Sequence, residues 1–298
     1  MNVLSLCDGM SCGQIALKEL NIPVEHYFAS EIDKNAIKVT MDNFPDTIQL
    51  GDVTKITEED LSALPKIDLV IFGSPCRSLS QTTAGMKGYN DGLNGVSGLF
   101  YNCNSILKRI IERNNPNVKF MVENVVGNKP KDIDKISEIL AVKPLLIDSA
   151  LFSAQERKRY YWTNIPVAKL PANNPLMLRD ILDDNLDEKF FYSQDYDYHG
   201  DDKRVCATLH INGNDILKRV YNPLYKSPTL TSCRGGNHQK KVMVDGRVRK
   251  LTPNEYRKLQ TIPDWYKMNV ANSHIYNMCG DGWTIEVIKH IFRGLIND

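Results

Sequence analysis

The sequence predicts an α/β protein built on a doubly wound, mainly parallel sheet, with a second, small, irregular and partly β domain. Three observations predict it. Strand-like and helix-like segments alternate over roughly the first 165 residues, the rhythm of βαβ units with helices on both faces of a sheet. Between 165 and 248 that rhythm lapses, and after 249 helical periodicity returns.

The elements follow in order. NVLSL is a short apolar strand that runs into Cys7-Asp8-Gly9. SCGQIALKEL then has helical spacing, with Ile15, Leu17 and Leu20 apolar. HYFASEID is a second strand with acids at its end, and KNAIKVTMDNF a second helix. TIQLGDV, IDLVIFGSPC and KFMVENVVG are further strands, each closing on small or polar residues. Beyond Trp162-Thr163-Asn164 the chain is rich in Asn, Asp, Tyr and turn residues. LTPNEYRKLQTIP restores the helical period, with Thr252 as N-cap and Glu255 completing a capping box. CGDGW precedes a closing amphipathic helix, TIEVIKHIFRGLI. The expected domains are 1–164 together with 249–298, and 165–248. There is no internal repeat and no low-complexity tract.

Bulk properties narrow the function classes. The apolar fraction of 42% supports a real core over 298 residues. No apolar run approaches the ~18 residues of a membrane span, and the N-terminus has no signal-peptide pattern, so a cytoplasmic protein is expected. Seven cysteines, an odd count without C-x-x-C spacing, fit a reducing compartment and no metal site. Net charge is +1, but its distribution is uneven. Residues 180–202 carry nine acids and one base, and 203–250 carry eleven bases and two acids. Two solvated loops of opposite sign, or a basic stretch that faces phosphates, both explain this.

In such folds ligands bind beyond the carboxyl ends of the strands. Cys7-Asp8-Gly9, Glu31, Asp52, Pro75-Cys76 and Glu123-Asn124 sit there. Glycines at 9 and 13 lack the G-x-G-x-x-G spacing, so a nucleotide site and a plain tight turn stay equally open. Glu31 suits ribose hydroxyls or an N-cap; Asp52 suits an adenine amino group or a turn. Cys76 follows the apolar strand of Ile67, Leu69, Ile71 and Phe72, and precedes a polar segment with Gly at 85, 88, 92, 95 and 98. A thiol at an exposed strand end can be activated as a thiolate nucleophile, whereas most intracellular cysteines are inert core residues. The segment after it suits a lid or a surface loop. Glu123 could donate to a heterocycle's ring nitrogen, or cap a turn. Arg157 and Arg159 share one face if extended, which suits phosphate anchoring or a solvated charge run.

Taken in order, VLSLCDGMSCG, ASEID, GDV, GSPCRSLS, GLF, ENV, QERKRYYW, RKLTPNEYRKLQTIP and CGDGWTIEVI resemble the successive motifs of the cytosine carbon-5 methyltransferase family, over nearly the whole chain. Each motif is weak alone; the ordered set is specific. The first half is similar to the animal de novo DNA methyltransferases, and the compact length to bacterial and phage enzymes. The resemblance implies a Rossmann-like class I methyltransferase fold with a target-recognition domain at 165–248. It implies S-adenosyl-L-methionine as cofactor and double-stranded DNA as partner, with the target base flipped out of the duplex and a monomeric enzyme. Cys76 would add to cytosine carbon 6, Glu123 would bond the ring nitrogen, and Arg157 and Arg159 would hold the base and its phosphate.

The same resemblance places the cofactor against Cys7, Asp8, Gly9, Met10, Glu31, Ile32, Asp52, Val53, Pro75, Leu99, Asp281 and Trp283. It places DNA against Ser80 and Asn124, with Arg234, Asn237, His238 and Gln239 as candidate groove contacts. Three positions depart from the family's pattern: Cys7 stands where Phe is usual, Arg77 where Gln is, and Asp281 where Asn is. Three alternatives compete. A tRNA cytosine-5 methyltransferase would use the same catalytic set. A catalytically inactive homologue is opposed by the intact Cys76, Glu123, Arg157 and Arg159. A nicotinamide-dependent dehydrogenase needs a tighter glycine fingerprint.

Overall fold

The computed structural model describes residues 1–74, 98–127 and 130–296. They form two compact units, one of Met1–Ile147, Lys158–Lys169 and Ile288–Asp298, the other of Asp148–Arg157 and Leu170–Val287.

In the first unit the expected alternation is present. It runs β1 (Asn2–Leu6), α1 (Cys12–Glu19), β2 (His26–Ser30), α2 (Lys34–Asn43), β3 (Ile48–Gln49), α3 (Glu58–Ser62) and β4 (Leu69–Phe72). It continues as α4 (Leu99–Arg113), β5 (Lys119–Val125), α5 (Pro130–Leu140), β6 (Leu145–Asp148) and β7 (Lys158–Thr163). The sheet order is β3-β2-β1-β4-β5-β7-β6. β1 pairs in parallel with β2 and β4, β2 with β3, and β4 with β5. β7 runs antiparallel to β5. The four residues of β4 are wholly buried, as a strand covered on both faces requires. One core cluster joins Leu4, Leu6, Val70 and Phe72 to Phe100, Ile106 and Ile110 of α4 and to Trp162 of β7. Burying each such side chain stabilises by about 1.5–3 kcal/mol.

One expectation changes here. Glu123 and Asn124 were expected beyond a strand end, yet β5 continues through Val125. The cause is β7, whose Tyr161, Tyr160 and Arg159 pair with Glu123, Asn124 and Val125.

The second unit contains β8 (Tyr196–Tyr198), β9 (Val205–Leu209), α6 (Asp215–Lys218), β10 (Arg219–Tyr221), β11 (Lys241–Val244), β12 (Arg247–Lys250), α7 (Pro253–Leu259) and α8 (Asn272–Asp281). α9 (Ile285–Phe292) follows, its residues from Ile288 onward belonging to the first unit. The five-stranded sheet has the order β12-β11-β10-β9-β8. It is antiparallel except where β10 pairs with β11. Cys206, Ala207, Leu209, Val220 and Val248 form its small core.

The expected capping box opens α7: Thr252 Oγ1 accepts from Glu255 N at 3.1 Å, and Glu255 Oε2 accepts from Thr252 N at 2.7 Å. α8 was not expected, because its polar sequence hides a buried face of Ile275, Tyr276, Met278 and Cys279. Among the described residues, no helix is long and apolar enough to cross a membrane.

Candidate active site

Strand order in the first unit reverses between β1 and β4, and the crevice at such a point is where these sheets take ligands. Register then lines up the candidates. Leu6 pairs with Ser30 and with Phe72, and Phe72 pairs with Val122. The residues that follow, Cys7-Asp8-Gly9, Glu31-Ile32, Gly73-Ser74 and Glu123-Asn124, therefore share one edge. Gly51-Asp52 joins them through Leu50 N to Ala29 O at 2.7 Å and Ser30 Oγ to Gly51 O at 2.7 Å.

The turn after β1 is strained. Cys7, Gly9 and Ser11 all lie in the left-handed region, at φ 55°, 58° and 59°, which only the glycine adopts freely. Glu31 holds this turn: its Oε2 accepts from Gly9 N at 2.7 Å, and its Oε1 accepts from Ile32 N at 2.7 Å and Asp33 N at 2.9 Å. The N-cap of α2 is Asp33, not Glu31. Asp8 Oδ1 accepts from Tyr27 Oη at 2.9 Å. Burial pushes the Asp8 carboxyl up to about 6, against the downward pull of hydrogen bonds with Ser5, Ser11 and Tyr27. Tyr27 carried no sequence signal, because an aromatic in an apolar strand reads as core.

The other edge residues divide by exposure. Ile32 is 71% exposed, unusual for so large an apolar side chain. Met10 and Val53 are buried, so main chain is what they offer a ligand. Leu99 begins α4 and is half-buried. Cys7 turns inward, its Sγ 4.0 Å from Cys103 Sγ. Asp52 Oδ1 accepts from Thr54 N at 2.9 Å and Thr54 Oγ1 at 2.8 Å, and these bonds hold its carboxyl below the usual range.

On the neighbouring strands, Arg159 Nε meets Glu123 Oε1 at 3.0 Å, with both side chains nearly buried. Ser74 Oγ and Asn124 Nδ2 are buried and have no hydrogen-bond partner among the described residues. Cys76, Pro75 and Ser80 lie outside the described residues.

The remaining candidates belong to the second unit. Arg157 is buried; its Nη1 donates to Leu230 O at 3.0 Å, and its Nη2 to Gly280 O at 3.1 Å and Gly282 O at 2.9 Å. These bonds give it a structural hold, which a sequence reading of alternate cations could not anticipate. Asp281 ends α8 and is exposed, and Trp283 is half-buried. In the turn at 234–239, Arg234 and His238 are exposed, Asn237 is half-buried and Gln239 is buried.

The basic stretch at 203–250 is in good part internal. Lys240, Lys241 and Arg249 are buried. Lys226 donates to the carbonyls of Ala150, Ser153 and Asn174 at 2.8–2.9 Å. Arg204, Arg219 and Arg247 pair with Glu156, Asp215 and Glu188. Lys203 and Arg234 are exposed.

A family model for C-5 cytosine-specific DNA methylases matches residues 1–297. The type II methyltransferase M.Bsp6I of Bacillus sp. (strain RFL6) is 30% identical over 302 residues, covering 91% of this chain and 91% of that protein. The orphan methyltransferase M.Phi3TI of Bacillus phage phi3T is 22% identical, covering 100% and 98%. Among solved structures, the Entamoeba histolytica methyltransferase EhMeth superposes with a TM-score of 0.70 at 14% identity, covering 100% of this chain and 98% of that one. The S. pombe Dnmt2 methyltransferase does so with a TM-score of 0.70 at 17% identity, covering 99% and 98%. The two structures share the fold described above.

Proposed function

The chain belongs to the C-5 cytosine-specific DNA methylase family, and from that premise we propose that it transfers a methyl group from S-adenosyl-L-methionine to carbon 5 of cytosine within one short duplex DNA sequence. The observation that carries the reading is the Glu123–Arg159 pair, with both side chains nearly buried at the edge where β1, β2 and β4 end.

The β1–β2 edge suits the cofactor. It joins an exposed apolar side chain, Ile32, to the carboxyl groups of Asp8, Glu31 and Asp52, a combination that fits a cationic nucleoside. Cys7, Gly9, Met10, Val53, Pro75 and Leu99 complete the proposed set on the first unit. Bound there, the cofactor supplies an electrophilic methyl group.

The chain's own residues do the rest. Carbon 5 of cytosine is too electron-poor to attack a methyl sulfonium unaided. Addition of the Cys76 thiolate to carbon 6 makes carbon 5 enamine-like. Acting as the acid, Glu123 would donate its carboxyl proton to the ring nitrogen as carbon 6 is attacked, and Arg159 fixes the direction of the Glu123 carboxyl. Carbon 5 would then take up the methyl group as that group's bond to the donor sulfur breaks, and removal of the carbon-5 proton by a base would restore the ring double bond and release the Cys76 thiolate. The base must leave the stacked duplex first, at a cost of a few kcal/mol. By role, 1–164 and 249–298 carry the catalysis, and 165–248 reads the DNA, with Ser80 and Asn124 near the flipped base. Arg157 acts through the carbonyls it holds, and the burial of Gln239 suits support of the reading turn rather than a groove contact.

The test is methyl transfer from labelled cofactor to unmethylated duplex DNA and, in parallel, to tRNA, with the product mapped by bisulfite sequencing. The expected product is 5-methylcytosine on DNA at one recurrent short sequence; label only on tRNA would move the function to RNA. The Cys76→Ala variant should bind cofactor and lose turnover. If it still methylates, the covalent mechanism is wrong.

A further inference from the structure

The turn Arg234–Gln239 begins with Gly235 and Gly236, both in the left-handed region at φ 103° and 70°. Two consecutive glycines give a loop wide conformational freedom. Yet two side chains from elsewhere in the second unit grip this turn.

Lys241, at the start of β11, is only 1% exposed. Its Nζ donates to Asn237 O at 2.7 Å, Gln239 O at 3.2 Å and Leu217 O at 2.7 Å. An ammonium group has three N–H donors, and each has a carbonyl here. Two of those carbonyls belong to the turn and the third to α6, so a single charge ties the turn to α6. A buried ammonium is costly to desolvate, and an apolar residue would fill the space at no such cost. Tyr192 supplies the second grip: its Oη donates to Asn237 Oδ1 at 3.2 Å. The Tyr192 ring lies 5.6 Å from Lys241 Nζ and 5.2 Å from Lys250 Nζ, within cation–π range of both. Asn237 is thus held by its main chain and by its side chain, while Arg234 and His238 stay exposed beside it.

We propose that Lys241 and Tyr192 are positioning residues that clamp the Arg234–Gln239 turn, and that this clamp sets how sharply the enzyme separates its target sequence from near matches. The proposal rests on the reading of this turn as a base-reading element. A clamped turn offers its donors and acceptors in one arrangement, so a wrong base pair leaves them unpaired. A loose turn adapts to the wrong pair and discriminates less.

The experiment compares methylation of the target duplex with duplexes changed at one base pair, using the full chain. Tyr192→Phe removes one hydroxyl and leaves the ring; Lys241→Met removes the charge, and Lys241→Arg keeps it. The expected result is that Y192F and K241M lower the target-to-mismatch ratio of kcat/KM by on the order of tenfold, part of the discrimination that one base pair normally carries. The KM for cofactor stays unchanged, and K241R recovers part of the ratio lost in K241M. If K241M does not fold, Y192F decides alone. An unchanged ratio in the variants that fold, with rates falling evenly on every duplex, overturns the clamp. Arg234→Ala and Asn237→Ala separate the two layers. If these relax the ratio and the clamp variants do not, only the clamp fails. If these also leave it unchanged, the turn does not read bases.

Discussion

At Asp8 a turn residue becomes a titrating group. Its carboxyl has an ordinary value of 3.8 and is raised to about 6, first by burial, with the nearby Glu31 adding to the rise. The unfolded chain therefore releases this proton near pH 4, while the folded chain holds it to about 6. Across that window the folded state binds more protons, so the contribution of Asp8 to stability falls as pH rises and stays low above it. Asp8→Asn keeps the acceptor for Tyr27 without the charge. It should raise Tm at pH 7.5 and change it little at pH 4, a comparison that thermal melts at the two values make directly. As residues, Asp8 and Glu31 were legible, because each sits where an apolar strand ends, whereas Glu123 lies inside β5 because β7 extends the pairing past it. The inward turn of Arg157 and Gln239 was not legible. Both lie in irregular segments, where no period tells which way a side chain points.

Among the elements, α7 shows how much one carboxylate can organise. Glu255 accepts from Thr252 N at 2.7 Å and Asp183 N at 2.8 Å, and its two oxygens meet the Arg249 guanidinium at 2.9 and 2.6 Å. Both partners are essentially unexposed. Removing one side of a buried ion pair costs about 3–5 kcal/mol, because the other is left as an unpaired charge. Losing an N-cap hydroxyl costs about 1 kcal/mol. Glu255→Ala should therefore destabilise several times more than Thr252→Ala, as the shift in urea midpoint will show. The cap was legible from T-P-N-E, but its ion pair was not, since Arg249 lies in a different element. Strands of three residues such as β8 and β10 are shorter than any period can reveal. The long apolar runs of β1, β4 and β5 declared themselves.

For the whole molecule, charge has to be counted after folding. Eleven bases lie between 203 and 250, but burial and ion pairing withdraw most of them from a phosphate surface. Eleven phosphate contacts would give a slope of about −10 in log K against log salt. The expected slope is much shallower, measured by anisotropy of a labelled duplex between about 50 and 200 mM salt. Lys203→Ala should reduce its magnitude by about 0.9, and Arg247→Ala, already paired with Glu188, by less. Charge imbalance was visible in the sequence; its partial neutralisation depends on contacts that only the fold creates.

The first unit is also divided along the chain, and this has a consequence in time. Its segment from Ile288 onward docks on residues synthesised much earlier: His290 reaches Ala168 O at 3.1 Å, Lys289 lies 3.6 Å from Glu19, and Gly294 packs against Pro166. Ile288, Ile291 and Phe292 are wholly buried there. At roughly 5–20 residues per second on a ribosome, several seconds pass between the emergence of those early partners and the arrival of this helix. During that interval all seven strands of the sheet have emerged, but the apolar surface that Ile288, Ile291 and Phe292 cover is still open. Completion of the first unit waits for a segment that lies more than a hundred residues downstream of the surface it covers.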